Sequence, residues 1–284
     1  MSGLLSGLSG LGLDDLENVD IFADPDKKEH NTQQSAAAPT VEEKDLIYDR
    51  SLSCPICNAK FTNKVMKTGK AKLLRTDKDL RPVYEAVDAQ KYDVILCPRC
   101  GYAAVSRYFS QVTSAQAKLI KEQITQKVHL HEYKDETYSY VEAIERYKLA
   151  LANAVVKRAK NSEKAYICLK TAWVLRGYAE QLAITNGAAS DQIEEAKAME
   201  ESHMRNAYKG FLEARQSESY PMCGMDEVTI DYLLAVMCVR FKDFDTAGKL
   251  VAKIITSPSA NARTKDKARD LKEEILQEMK KSKQ

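Results

Sequence analysis

The chain has 284 residues, of which 44% are hydrophobic and 30% charged, with a formal net charge of +2. That length and apolar content allow a sizeable core and more than one module, and no uninterrupted apolar run approaches the length of a membrane span. The opening residues lack a basic stretch leading into an apolar block, so no secretory signal is expected. Seven cysteines, four of them in CxxC pairs, suit a reducing cytoplasm and a metal site better than a disulfide framework.

The near-neutral total hides a division along the chain. Residues 1–53 carry four Lys/Arg against eleven Asp/Glu, residues 54–134 carry fifteen against seven, and the remainder is close to balance. The first 46 residues mix Leu and Gly with an acidic close, then turn polar and rich in breakers around "ADPDKKEHNTQQSAAAPT". They read as a flexible acidic tail and linker, with the Leu/Gly segment as a stretch able to fold onto this protein or a partner.

Residues 47–112 read as a small module of short strands around the two cysteine pairs, with "KAKLLRT" and "YDVILCP" as the most compact candidates. After "FSQV" the periodicity becomes helical, and Thr113 with Gln116 forms a capping box for "SAQAKLIKEQITQKV". From residue 113 to 284 the pattern is almost wholly helical. Ala143–Tyr147–Ala150 and Ala207–Phe211–Ala214 repeat a small–large–small arrangement, and Ala247–Val251–Ile254 echoes it with the last position enlarged. Small residues at that spacing let helices approach closely while the large side chain fills the groove. Leu234 stands thirteen residues before Ala247 across the "KDFDTA" turn, as in a tetratricopeptide helix–turn–helix, and "CLKTAW" with Leu169 and Trp173 looks like the first helix of another such unit. The anchors lie 64 and 40 residues apart rather than 34, which predicts hairpins with elongated helices. The last helix shows a narrow stripe of Ala268, Leu271, Ile275 and Met279, suited to a terminal cap. The expected fold class is mainly α: tetratricopeptide-like helical hairpins with a small N-terminal β module.

The chemistry concentrates in "CPICNAKF" and "CPRCGYAA". Zinc needs four deprotonated ligands at tetrahedral corners, and two CxxC turns supply them as Cys54, Cys57, Cys97 and Cys100. Proline after the first cysteine of each pair fixes part of the turn; Gly101 suits a position of positive φ, and Asn58 is among the better substitutes for glycine in the matching place. One structural zinc in a closed four-thiolate site is the leading expectation. A redox dithiol and an iron–sulfur cluster are the alternatives, although no βαβ pattern surrounds either pair. Cys168, Cys223 and Cys238 read as packing residues, His129 and His131 as surface residues, and His203 as a helix residue without a metal role.

Between the pairs runs "KFTNKVMKTGKAKLLR", with Lys64, Lys67, Lys70, Lys72 and Arg75 and no acidic residue. A hairpin carrying these charges reads first as a solvated surface, and second as a contact for nucleic-acid phosphates; an acidic protein partner, the chain's own tail included, is the third reading. Phe61 and Tyr102 suit either base stacking or packing beside the metal. There is no phosphate loop, no GxGxxG after a strand, no HExxH and no GxSxG.

With these motifs in place, the chain resembles the bacterial domain of unknown function 2225 family. "CPICNAKF", "YDVILCPRCGYAA", "SAQAKLIKEQI", "AIERYKLALANA" and "MDEVTIDYLLAVMCVRF" carry the resemblance across residues 53–280. It implies a zinc-ribbon module joined to tetratricopeptide-like helices in a cytoplasmic bacterial protein. The four metal positions carry over as Cys54, Cys57, Cys97 and Cys100, whereas Asn58 departs from the glycine common at its place. No catalytic residue carries over. The expected function is a non-enzymatic scaffold for a protein or peptide partner, with a nucleic-acid-associated factor second and a thiol-redox protein third; no small-molecule substrate is expected.

Overall fold

Each cysteine pair sits at the tight end of its own β-hairpin. In the computed structural model, which describes residues 41–185 and 190–281, β1 (Ile47–Ser53) pairs antiparallel with β2 (Lys60–Met66) around the first pair. β5 (Val94–Leu96) pairs with β6 (Ala103–Val105) around the second. Between them β3 (Leu73–Thr76) and β4 (Pro82–Tyr84) form a third two-stranded sheet. The Leu/Gly segment and most of the expected linker lie outside the described residues. The linker's last residues, Glu43–Leu46, make a 3-10 turn that buries Leu46.

Seven α-helices follow among the described residues, and the fold is mainly α. They are α1 (Ser114–Ile120), α2 (Tyr140–Val156), α3 (Asn161–Ile184), α4 (Ser190–Ser217), α5 (Glu227–Arg240), α6 (Phe244–Thr256) and α7 (Ala262–Lys281). The Thr113–Gln116 capping box closes reciprocally as the sequence predicts, and α1 then widens into a π-turn over Lys121–Thr125. Ser139, Asp226 and Asp243 cap α2, α5 and α6 through bonds from backbone amides three residues on. No described helix is long and apolar enough to cross a membrane.

The small–large–small positions do what their spacing requires. Ala143, Tyr147 and Ala150 on α2 are fully buried, as are Ala207, Phe211 and Ala214 on α4 and Ala247, Val251 and Ile254 on α6. Burying side chains the size of Phe211 or Leu234 stabilises the fold by about 1.5–3 kcal/mol each. One apolar cluster joins α3 through α7 and includes Trp173, Leu234, Leu271 and Ile275. A second unites Val94, Ala103 and Val105 with Tyr147, Val174 and Leu175 of α2 and α3.

The β5–β6 hairpin serves two cores because its side chains alternate. Val94, Ala103 and Val105 face the helices, while Ile95 and Ala104 join the cysteines and Ile120 on the other side. The cysteine-bearing strands and the helices therefore share buried surface.

Gly177 marks a second close approach. A Cβ added there in α3 would stand 2.5 Å from Asp88 Oδ2 and 2.7 Å from the Tyr140 hydroxyl, which themselves hydrogen-bond at 3.0 Å. Alanine normally gains about 1 kcal/mol over glycine inside a helix, yet here it meets a part-buried polar pair. Gly177→Ala is expected to lower stability by about 1–3 kcal/mol, read as a reduced denaturation midpoint with an unchanged slope.

Candidate metal centre

The four predicted ligands converge. The Cys54 and Cys100 sulfurs lie 3.5 Å apart, those of Cys57 and Cys97 3.7 Å apart, and all four ligand atoms fall within 4.8 Å of one another. Sulfurs bound tetrahedrally at about 2.3 Å from one ion stand roughly 3.8 Å from each other, whereas a disulfide needs about 2.0 Å. The spacing fits the corners of a metal-thiolate tetrahedron, and all seven cysteines are free thiols. The donor set and its geometry can hold a metal ion.

The two turns are built alike. The Cys54 amide donates to the Ala59 carbonyl at 2.9 Å and the Asn58 amide to the Cys54 carbonyl at 3.0 Å. In the second turn the Cys97 amide donates to Tyr102 at 2.9 Å and the Gly101 amide to Cys97 at 3.1 Å. Asn58 and Gly101 take the matching left-handed conformation, with φ of 58° and 70°. The Ile56 amide points at the Cys54 sulfur, 3.4 Å away, as thiolate ligands require of nearby donors. Hydrogen bonds from Cys100 and Cys54 pull the Cys97 thiol far below its ordinary range, against the effect of burial. At Cys100 the contacts with Cys54 and Cys97, together with burial, push the thiol up.

The helices hold the second turn from behind. Thr125 donates its hydroxyl to the Cys100 carbonyl at 3.0 Å, and the Asn153 amide donates to the Gly101 carbonyl at the same distance. Sequence reasoning missed both. Asn153 had a visible signal, a polar residue set between Ala150 and Ala154 on the apolar stripe of α2; Thr125 had none.

Gly101 has no room for a side chain. Its Cβ would lie 2.5 Å from Val128 Cγ1, in a backbone region that L-residues enter at a cost of about 1–2 kcal/mol. Gly101→Ala is expected to cost about 2–4 kcal/mol in total, whereas Asn58→Gly, at the matching φ, is expected to change stability by only a few tenths. Parallel melts of the two metal-loaded variants measure the contrast.

Phe61 and Tyr102 pack beside the sulfurs. Tyr102 is fully buried, donates its hydroxyl to the Phe109 carbonyl at 3.0 Å and lies 5.0 Å from the Phe109 ring, while Phe61 meets that ring edge-on at 6.1 Å. Base stacking by Tyr102 is closed off.

The basic stretch does not form one hairpin. β2 pairs with β1 and β3 with β4, so Lys64 lies on one sheet, Arg75 on another, and Lys67, Lys70 and Lys72 on the connection between them. Lys64 faces Asp49 across the β1–β2 ladder, with 3.5 Å between charges, and Lys67 donates to the Asp45 carbonyl at 2.8 Å. Lys72 reaches Glu85 at 3.4 Å and Arg75 reaches Asp77 at 3.2 Å; Lys70 stands exposed.

Away from the sulfurs, burial pushes the Cys168, Cys223 and Cys238 thiols up to about 11, consistent with inert packing residues. His129 and His131 are exposed, and His131 bonds Glu145 at 2.8 Å rather than joining the metal cluster. Beside the second turn lies a cleft of about 470 Å³, lined by Arg99, His131, Tyr133, Glu142, Glu145 and Arg146 among others. Several of its polar groups pair with one another. Glu142 binds Arg146 at 2.9 Å. Burial acts to raise the Glu145 carboxyl, but hydrogen bonds from Tyr133 and His131 outweigh it and hold the group below its usual range.

No curated protein and no solved structure matches the chain. A family model described as an uncharacterised protein conserved in bacteria, domain of unknown function 2225, matches residues 47–275, from the first residue of β1 into α7 and across all four cysteines. The chain belongs to that family.

Proposed function

We propose that the protein is a non-enzymatic cytoplasmic scaffold, in which one structural zinc ion held by Cys54, Cys57, Cys97 and Cys100 fixes a zinc-ribbon module against tetratricopeptide-like helical hairpins. The observation that carries this reading is the convergence of four thiols at tetrahedral spacing inside an apolar cluster shared with α1. A four-thiolate site has no open coordination position, so its ion supports the fold rather than a reaction. The α5–α6 hairpin, with its short turn and its buried Leu234, Ala247 and Val251, supports the tetratricopeptide-like reading. The partner is a protein or peptide that recognises the helical surface.

Metal analysis of the purified chain tests the zinc assignment: one zinc per chain with four sulfur neighbours is expected, and a metal-free dithiol or an iron chromophore refutes it. A nucleic-acid role is the weaker reading, because Lys64, Lys67, Lys72 and Arg75 already have acceptors. Titration with single- and double-stranded RNA and DNA is expected to show no salt-sensitive binding. A steep loss of affinity with salt would reverse that order.

A further inference from the structure

The four sulfurs are not equally accessible. Cys54, Cys97 and Cys100 are each at most 1% exposed, whereas Cys57 is only partly buried and lies at the margin of the cluster. Cys57 is therefore the ligand residue of the four that a dissolved reagent meets. Its close neighbour is Cys97, 3.7 Å away in the other turn, while Cys54 is paired off with Cys100 at 3.5 Å. The remaining cysteines are out of competition, since Cys168, Cys223 and Cys238 are buried in the helical region.

We propose that Cys57 is a site of oxidative modification by hydroperoxides, and that Cys97 resolves it into a disulfide joining the two turns. The inference rests on the metal-site reading above. The Cys57 thiolate attacks the peroxide; an S–O bond forms as the O–O bond breaks, and the departing oxygen takes a proton and leaves as water or an alcohol. The Cys97 thiolate then attacks the Cys57 sulfur; an S–S bond forms, the S–O bond breaks, and hydroxide leaves as water after taking a second proton. Two electrons pass from the sulfur pair to the peroxide. Two of the four ligands are consumed, and sulfurs drawn from 3.7 Å to about 2.0 Å no longer match a tetrahedral site. The chain then gives up its ion in proportion to peroxide.

The test uses the full chain loaded with zinc and treated with graded hydrogen peroxide. Free zinc is followed with a chromogenic chelator, and disulfides are mapped by peptide mass spectrometry without reduction. The expected result is one zinc released per disulfide formed, with the Cys57–Cys97 linkage dominant. A Cys54–Cys57 or Cys97–Cys100 linkage, or first oxidation at any other cysteine, overturns the proposal. Cys57→His keeps a zinc ligand while removing the sulfur, and is expected to slow peroxide-driven zinc release at least tenfold. Release at the wild-type rate from a zinc-loaded Cys57→His chain also overturns it. If that variant fails to load zinc, the linkage map of the wild-type chain decides alone. Zinc content before oxidation is measured separately, so failure of the metal reading is distinguishable from failure of this one.

Discussion

Replacing Cys97 by serine is expected to abolish stoichiometric metal binding and unravel the first cysteine hairpin while leaving most of the helical signal intact. Loss of a supporting partner behind a ligand costs 10–100-fold in metal affinity, and loss of a ligand exceeds that. In small zinc modules metal binding contributes about 10–16 kcal/mol of apparent folding free energy. The β1–β2 hairpin has little to replace it: six of the seven residues of β1 are not buried, and on β2 only Asn63 is. The β5–β6 hairpin is expected to lose less, because Val94, Ala103 and Val105 remain packed on α2 and α3. α1 should loosen with the cysteines, since its Ile120 belongs to their cluster, whereas α5, α6 and α7 should be untouched. Hydrogen exchange would resolve this gradient, with bound metal and far-UV dichroism measured on the same samples. A chelator applied to the wild-type chain should reproduce it. Full metal content with unchanged protection over Lys60–Met66, or loss of all helical signal together, would refute the assignment.

The gradient also shows what was legible in the sequence and what was not. Local chemistry was legible: two CxxC turns with proline and a left-handed follower dictate the same turn twice, and both formed with Asn58 and Gly101 at positive φ. Helical periodicity was legible too, down to the Thr113 capping box and the buried Ala–Phe–Ala stripe of α4. Strand pairing was not. The lysine-rich stretch lies between two cysteine turns and reads as a hairpin, but pairing is decided by non-local register. β2 found β1, placing Leu52 opposite Phe61 and Asp49 opposite Lys64. Side chains that act across long sequence separations were equally invisible. Nothing near Thr125 in the chain announces that its hydroxyl will hold the carbonyl of Cys100.

The largest such omission is an ionic seam centred on Asp79, and Asp79→Ala is expected to cost about 3–5 kcal/mol. Asp79 sits in the turn between β3 and β4, only 6% exposed, yet its partners come from α3. Its carboxylate accepts from Arg176 Nη1 at 3.2 Å and Nη2 at 2.6 Å, and from the Trp173 indole nitrogen at 3.2 Å. Arg176 also reaches Asp77 at 3.3 Å and Glu200 at 2.8 Å, and Glu200 in turn receives Arg240 from α5 at 2.9 Å. Removing Asp79 leaves a buried indole donor without its acceptor and a largely buried guanidinium with fewer anions, and truncating one member of a desolvated network costs far more than the pair's net worth. Asp79→Asn retains an acceptor for the indole but discards the charge, so it should cost about half as much. Lys78 supplies the control. Its bond to Glu274, at 2.7 Å, joins two exposed side chains, and Lys78→Ala should change stability by under about 0.5 kcal/mol. Trp173 is the only tryptophan in the chain, so its emission reports directly on this contact. Denaturant titrations should show Asp79→Ala shifted furthest and Asp79→Asn between it and the wild type. Lys78→Ala should be superimposable on the wild type, and the native-state emission altered only in the Asp79 variants. Equal stability for Asp79→Ala and Lys78→Ala would mean that the seam fixes orientation without contributing free energy, leaving apolar packing alone to hold this turn on the helices.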